Sequence, residues 1–279
     1  MKIPRIWVSA VKEAHGPRGP MPLTAWGWSE NDRAEAQRRA NETLQRMVRR
    51  AEQGLELSRD YPYGSRPLRE EIVRELDPQN GNASAVVTRN GYGCLVLNTS
   101  QVMFVDIDLP DLTLGQRIAR LFQRRAPAES EALDNIKKRL TEISTAAFRI
   151  YRTAGGFRLM ATDRVFQPGS SESENIMNAV EADPAFVRLC RARESFRARL
   201  TPKPWRCGSR NPPNQYPREN DIDEEKFKAW LAAYQQATAQ KATCRLIENV
   251  GSGWPHQEVA PILKLHDEAT RANTGLPLA

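Results

Sequence analysis

The run Phe104-Val105-Asp106-Ile107-Asp108-Leu109 constrains this chain more than any other segment. Its apolar residues favour a strand. Strand side chains alternate with a period of two, so Val105 and Ile107 face a core while Asp106 and Asp108 share the other face, roughly 7 Å apart along the backbone. Two carboxylates side by side repel unless a cation lies between them, and their hard oxygens suit Mg²⁺ or Mn²⁺. The plainer alternative is a pair of solvated aspartates at a sheet rim.

A chain of 279 residues with 40% hydrophobic content can bury a real core without staples. Its 41 Lys and Arg against 34 Asp and Glu give a formal charge of +7, which favours an anionic partner, nucleic acid first. Cys94, Cys190, Cys207 and Cys244 are widely and irregularly spaced, so neither a zinc site nor a disulfide framework is indicated. Nothing approaches the roughly 18 consecutive apolar residues of a membrane span, and Pro4 and Arg5 interrupt any signal-like stretch. A cytoplasmic protein with no membrane partner is the expectation.

Residues 1–82 read as a mainly helical region. It has a short strand near Ile6 to Val11, a Pro/Gly/Trp-rich loop anchored by Trp26 and Trp28, a helix opened by Ser29 and Asp32, and a second helix from Pro67 that buries Leu68, Ile72, Val73 and Leu76. A boundary falls in the loop 77–82. Residues 83–250 read as an α+β core, and 251–279 as a C-terminal helical tail. Asn90-Gly91 marks a hairpin between Ala85–Thr88 and Cys94–Leu97, and Val102 to Asp108 continues it as a meander. Two helical stripes follow, Leu114/Ile118/Leu121/Phe122 and Leu133/Ile136/Leu140/Ile143. Then come a hairpin turning at Ala154-Gly155-Gly156 and a helix from Ser171 with Glu174 as its capping partner. With a last strand at Phe196–Leu200 or Thr243–Ile247, the order is βαββαβ. That is the ferredoxin-like or RNA-recognition-motif-like (RRM-like) arrangement, with the aspartates on a central first strand, helices on one face and the other face open.

Between residues 186 and 218 the basic side chains Arg188, Arg191, Arg193, Arg197, Arg199, Lys203, Arg206, Arg210 and Arg218 face a single acid, Glu194. On a strand, Arg197 and Arg199 project together, and planar guanidinium groups suit bidentate phosphate recognition. A scaffold role, pairing with acids or capping carbonyls, is the alternative. In the hairpin Arg152-Thr153-Ala154-Gly155-Gly156-Phe157-Arg158, glycines admit close approach of a phosphate, although a turn requires them equally. His266 lies on an apolar stripe with Ile262 and Leu265, which reads as packing or capping rather than ligation.

Asp106-Ile107-Asp108 followed by Arg152-Thr153-Ala154-Gly155-Gly156-Phe157-Arg158-Leu159 resembles the first two motifs of the archaeo-eukaryotic primase superfamily, over about residues 102–200. The resemblance implies an RRM-like catalytic half beside a smaller lobe. It implies that Asp106 and Asp108 hold catalytic Mg²⁺ or Mn²⁺ and that Arg152, Thr153, Gly155, Gly156, Arg158, Arg197 and Arg199 meet nucleotide phosphates. A third carboxylate would be Asp183 or Glu194. The family's second motif usually ends in histidine, where this chain has Arg158, which holds a phosphate but does not transfer protons near neutral pH. The expected function is a primase-like nucleotidyltransferase acting with nucleic acid and nucleoside triphosphates. A metal-dependent nuclease or a non-catalytic nucleic-acid-binding protein on the same scaffold are the alternatives.

Overall fold

The computed structural model describes residues 1–17, 19–55, 67–79, 82–109 and 128–279. The expected helix over Leu114 to Phe122 and the turn residues Asn80-Gly81 lie outside them. Among the described residues, no helix is long and apolar enough to cross a membrane.

The chain opens on a hairpin, β1 (Ile6–Gly16) and β2 (Gly19–Ser29), paired along its whole length, so the strand expected near Ile6 to Val11 forms and most of the loop expected after it is strand as well. Pro20 and Pro22 misled that reading. A two-stranded sheet has two free edges, which tolerate a missing N–H. Helix α1 (Arg33–Glu52) starts at Asp32, whose carboxylate accepts from Ala34 N, and Ser29 instead bonds Glu35. α1 lies on the hairpin so closely that a Cβ at Gly27 would stand 1.9 Å from Ala36 O. Leu44, Val48 and Ala51 fill a small core with Ala10, Ala14, Leu23 and Ala25.

The helix expected from Pro67 is strand β3 (Glu71–Gln79), antiparallel to β4 (Asn82–Arg89). The pairing passes from Ile72↔Thr88 to Arg74↔Val87, which leaves Val73 as an extra residue. A spacing of four, as between Ile72 and Leu76, keeps two residues on one side of a helix and of a regular strand alike, and the bulge at Val73 removes the alternation that would mark a strand. The boundary placed after Asn82 therefore falls inside a paired hairpin, and the described part of residues 1–82 holds three strands and one helix. The β4–β5 turn forms where expected, but Gly93, with φ +78°, is its left-handed residue rather than Gly91. β5 (Leu95–Thr99) pairs with β9 (Phe196–Arg199), completing the sheet β3-β4-β5-β9.

β6 (Phe104–Asp108) does not continue this meander. It crosses to a second antiparallel sheet, β10-β7-β8-β6, built with β7 (Phe148–Thr153), β8 (Gly156–Ala161) and β10 (Cys244–Val250). The class is α+β. Within that sheet β6 lies at the edge, not at the centre that a ferredoxin-like order gives it, and it runs beside β9 of the other sheet. The fourth strand is the Thr243–Ile247 candidate, while Phe196–Leu200 serves the first sheet.

Helices cover both faces of this second sheet, so the expected open face is absent. α2 (Ala128–Ile143) meets one face through Glu129–Arg152 and Lys137–Glu248 pairs. Helices α3 (Ser171–Ala179) and α4 (Pro184–Arg193) follow β8. Ile176, Met177, Val187 and Cys190 from this region join the main core with Ile136, Leu140, Phe157 and Leu159. Ser170, not a Ser171/Glu174 box, caps α3, and Glu174 pairs with Arg191. After a 3₁₀ turn (Pro204–Cys207) comes α5 (Asp221–Thr238), and α6 (Val259–Thr270) covers the face bearing Phe104, Asp106 and Tyr151.

His266 of α6 is fully buried between the rings of Phe104 and Tyr151, at 5.2 and 4.8 Å, with Nδ1 3.0 Å from Asp267 Oδ1. Arg149 and Tyr151 donate to the same carboxylate. Burial holds the imidazole below its ordinary range despite Asp267, so the native state resists a proton that the unfolded chain accepts. Stability is therefore expected to fall as pH drops below about 6.5, by at most about 1.4 kcal/mol per unit. Urea midpoints at pH 7.5 and 5.5 measure this, and His266→Phe should flatten the slope.

Candidate phosphate and metal pocket

β6 and β8 pair directly, Asp106↔Arg158 and Asp108↔Gly156. The first pairing sets the Arg158 guanidinium on Asp106, with Nε 2.7 Å from Oδ1 and Nη2 3.2 Å from Oδ2. Its third nitrogen, Nη1, donates to the carbonyl of Arg199 at 2.8 Å. Arg158 is only 2% exposed and ties the second sheet to β9 of the first. The second pairing needs glycine, because a Cβ at Gly156 would lie 2.0 Å from Ile107 O. Gly156→Ala is expected to cost about 2 kcal/mol in urea unfolding by forcing β8 off β6. Thr153 Oγ1 accepts from Gly156 N at 3.0 Å and fixes the turn, and Gly155 O accepts from Leu109 N.

Beyond this ladder the strand ends open into a pocket lined by Asp106, Asp108, Thr153, Gly155, Phe157, Arg158, Arg199, Lys203, Arg206, Thr243 and Ala279. The basic side of the pocket comes from the end of β9 and the segment after it. Leu200 N donates to Leu95 O, Thr243 Oγ1 to Leu200 O and Tyr234 OH to Pro202 O. Prolines on either side of Lys203 limit its backbone further. Lys203 and Arg206 were visible in the sequence only as members of a basic run. The rigid Pro202-Lys203-Pro204 stretch just after a strand was the signal available for placing them.

Among the described residues, no carboxylate pairs with Arg199, Lys203 or Arg206, and none of the three donates a side-chain hydrogen bond. Burial, with the Arg199 and Arg206 charges, holds the Lys203 amine below the ordinary lysine range, and burial lowers Arg199 likewise. Among the described residues Asp108 makes no ion pair either. Burial first, then the Asp106 and Asp183 carboxylates, push its acid upward even though Lys203 and Arg199 stand nearby. One pocket thus presents a carboxylate short of positive charge and cations short of negative charge. A lone anion or a lone cation relieves only one of these.

The other expected site residues are distributed differently. Asp183 caps α4 through Ala185 N, donates its own N–H to Asp106 O at 3.3 Å, and is near enough to raise Asp108. Glu194 pairs with Lys2 at the surface, at 2.6 Å. Arg197 is buried against Glu70, at 2.7 Å, and Thr88 donates to the same carboxylate. Arg152 turns to the opposite sheet face, where it meets Glu129 at 2.7 Å and the Gly156 carbonyl at 2.9 Å.

In comparisons with protein-family models, curated proteins and solved structures, nothing matches this chain. Among the described residues, no group of three or more Asp, Glu, His or Cys side chains gathers as a metal cage. The donors fit one divalent cation better than two, since Arg158 occupies both oxygens of Asp106, while Asp108, with Asp183 beside it, has no ion-pair partner among the described residues. Mg²⁺ in particular is commonly held by one or two carboxylates together with substrate phosphates, and such a shared site suits this donor set.

Proposed function

We propose that the protein is a divergent primase-like nucleotidyltransferase whose pocket at the end of β6 takes a nucleoside triphosphate together with one divalent cation. The observation that carries this reading is Asp108 facing Arg199, Lys203 and Arg206 across one pocket, none of the four in an ion pair among the described residues. A metal-bound polyphosphate discharges both sides at once. Arg199, Lys203 and Arg206 would bind and orient the phosphate oxygens, which needs no proton transfer from an arginine. Asp108, with Asp183 behind it, would hold the cation, and Arg158 would hold Asp106 in place. When bound, the cation supplies charge neutralisation on the phosphates and activation of an attacking hydroxyl. The strand-helix-strand-strand order from β6 to β8 supports the RRM-like kinship, and the edge position of β6 departs from it.

A second reading, a nucleic-acid-binding protein without catalysis, is favoured by the Asp106–Arg158 pair, which takes one carboxylate of the motif for structure. Calorimetric titration with a nucleoside triphosphate separates the two. The nucleotidyltransferase reading predicts Mn²⁺-dependent binding, weakened about tenfold or more by Arg206→Ala, the loss of a hydrogen bond between charged groups. Binding that is indifferent to Mn²⁺ would favour the second reading, and no binding would remove the first.

A further inference from the structure

Two large aromatic side chains stand beside the pocket without lining it. Trp205, on the 3₁₀ turn between Lys203 and Arg206, is 49% exposed, and Tyr92, on the β4–β5 turn, is 50% exposed. Their rings meet edge to face, 5.2 Å apart at 81°, so they form one aromatic cluster in which a flat base can stack on one ring and rest against the edge of the other. The pocket-lining Lys203 ammonium lies 5.4 Å from the Trp205 ring centre, which joins this surface to the basic wall.

Both side chains stand on ordered backbone. The Asn90 carboxamide oxygen accepts from Tyr92 N and Cys94 N at 3.0 and 3.1 Å, and Gly93 N donates to Asn90 O. Around Trp205, Arg206 N donates to Lys203 O and Ser209 N to Pro204 O, both at 2.9 Å. Rigid Trp and Tyr lose little conformational entropy on binding. An edge-to-face pair alone would satisfy two packing residues, yet each residue is about half exposed beside cations that lack carboxylate partners among the described residues.

We infer that Trp205 and Tyr92 form a stacking platform for an unpaired base of a single-stranded nucleic acid whose phosphates enter the pocket. This rests on the phosphate-binding reading above. Aromatic faces accept any base, and the arrangement of stacking rings along a basic groove is how single strands are held without sequence preference. A strand is favoured over a mononucleotide because the rings lie outside the pocket. A base resting on them belongs to a nucleotide next to the one whose phosphates Arg199, Lys203 and Arg206 hold. The overall charge of +7 complements such a strand.

The test is fluorescence anisotropy with the full chain and two labelled strands of equal length, one oligo-dT and one abasic, alongside tripolyphosphate and ATP as competitors. Trp205→Ala is expected to weaken the dT strand about tenfold or more and the abasic strand by less than about twofold, with Trp205→Phe retaining most of the affinity. Tyr92→Ala, on a separate element, should repeat the contrast more weakly and decides the matter if Trp205→Ala does not fold. Equal losses on both strands, or none on dT, overturn the platform. If ATP loses as much as the dT strand, the rings read a mononucleotide base and the strand assignment fails. If tripolyphosphate binds and neither strand does, this inference fails alone. If none of them binds, the phosphate pocket fails with it.

Discussion

Arg158→Met is expected to lower the free energy of unfolding by about 3 kcal/mol, the low end for breaking a buried ion pair by removing one partner. Arg158 is 2% exposed, while its partner carboxylate keeps roughly a third of its side chain open to water, which moderates the cost. The loss has two parts. Asp106 would retain its charge at a half-buried sheet edge without the bidentate donor that now holds it, and the Arg199 carbonyl would lose the guanidinium that fastens the two sheets. The double variant Arg158→Met, Asp106→Leu separates these, because an apolar pair of similar volume often replaces a buried ion pair at little cost. Urea unfolding should therefore show the double variant closer to wild type than Arg158→Met alone. A change below about 1 kcal/mol for Arg158→Met would mean that the pair behaves as a surface ion pair.

Asp108→Ala is expected to act in the opposite manner, sparing the fold and removing the cation. Asp108 keeps much of its side chain in solvent, forms no ion pair among the described residues, and has its acid pushed upward first by partial burial and then by Asp106 and Asp183. A carboxylate with a raised native pKa binds its proton more tightly folded than unfolded, so its ionised form at neutral pH works against the fold. Replacing it should leave stability at pH 7.5 unchanged or slightly higher, and that small gain should vanish in acid, below the ordinary carboxylate range, where both states are protonated. Mn²⁺ affinity should fall by on the order of 100-fold or more, since losing even a residue that supports a ligand costs 10- to 100-fold. Mn²⁺ titration in the presence of nucleotide, followed by electron paramagnetic resonance, measures it.

The contrast between these aspartates was only half legible in the sequence. Strand alternation placed Asp106 and Asp108 together on β6 correctly, because period two follows from backbone geometry alone. Which of them would be free depended on Arg158, fifty-two residues away, and on a register that no local signal specifies. The same limit applies to the basic residues. Arg197 and Arg199 do share a strand, but Glu70, from a segment read as helix, takes Arg197. Lys203 and Arg206, which the fold brings to the pocket, lie past the strand end, where spacing says nothing of direction. Hairpins announced by their turns, at Asn90-Gly91 and Ala154-Gly155-Gly156, formed as read. The segment 71–79 did not, because the spacing of four between Ile72 and Leu76 fits a helix face as well as a strand face and the bulge interrupts the alternation that would tell them apart.

Incorporation of labelled nucleotides in Mn²⁺, on primed and unprimed single-stranded templates of DNA and RNA, with Asp108→Ala run beside wild type, tests the central claim most directly. A pocket that joins metal and triphosphate for nucleotidyl transfer predicts wild-type incorporation that Asp108→Ala reduces on the order of 100-fold or more, while the variant stays folded. Folded wild type that incorporates nothing on any template, or an Asp108→Ala variant as active as wild type, would contradict it.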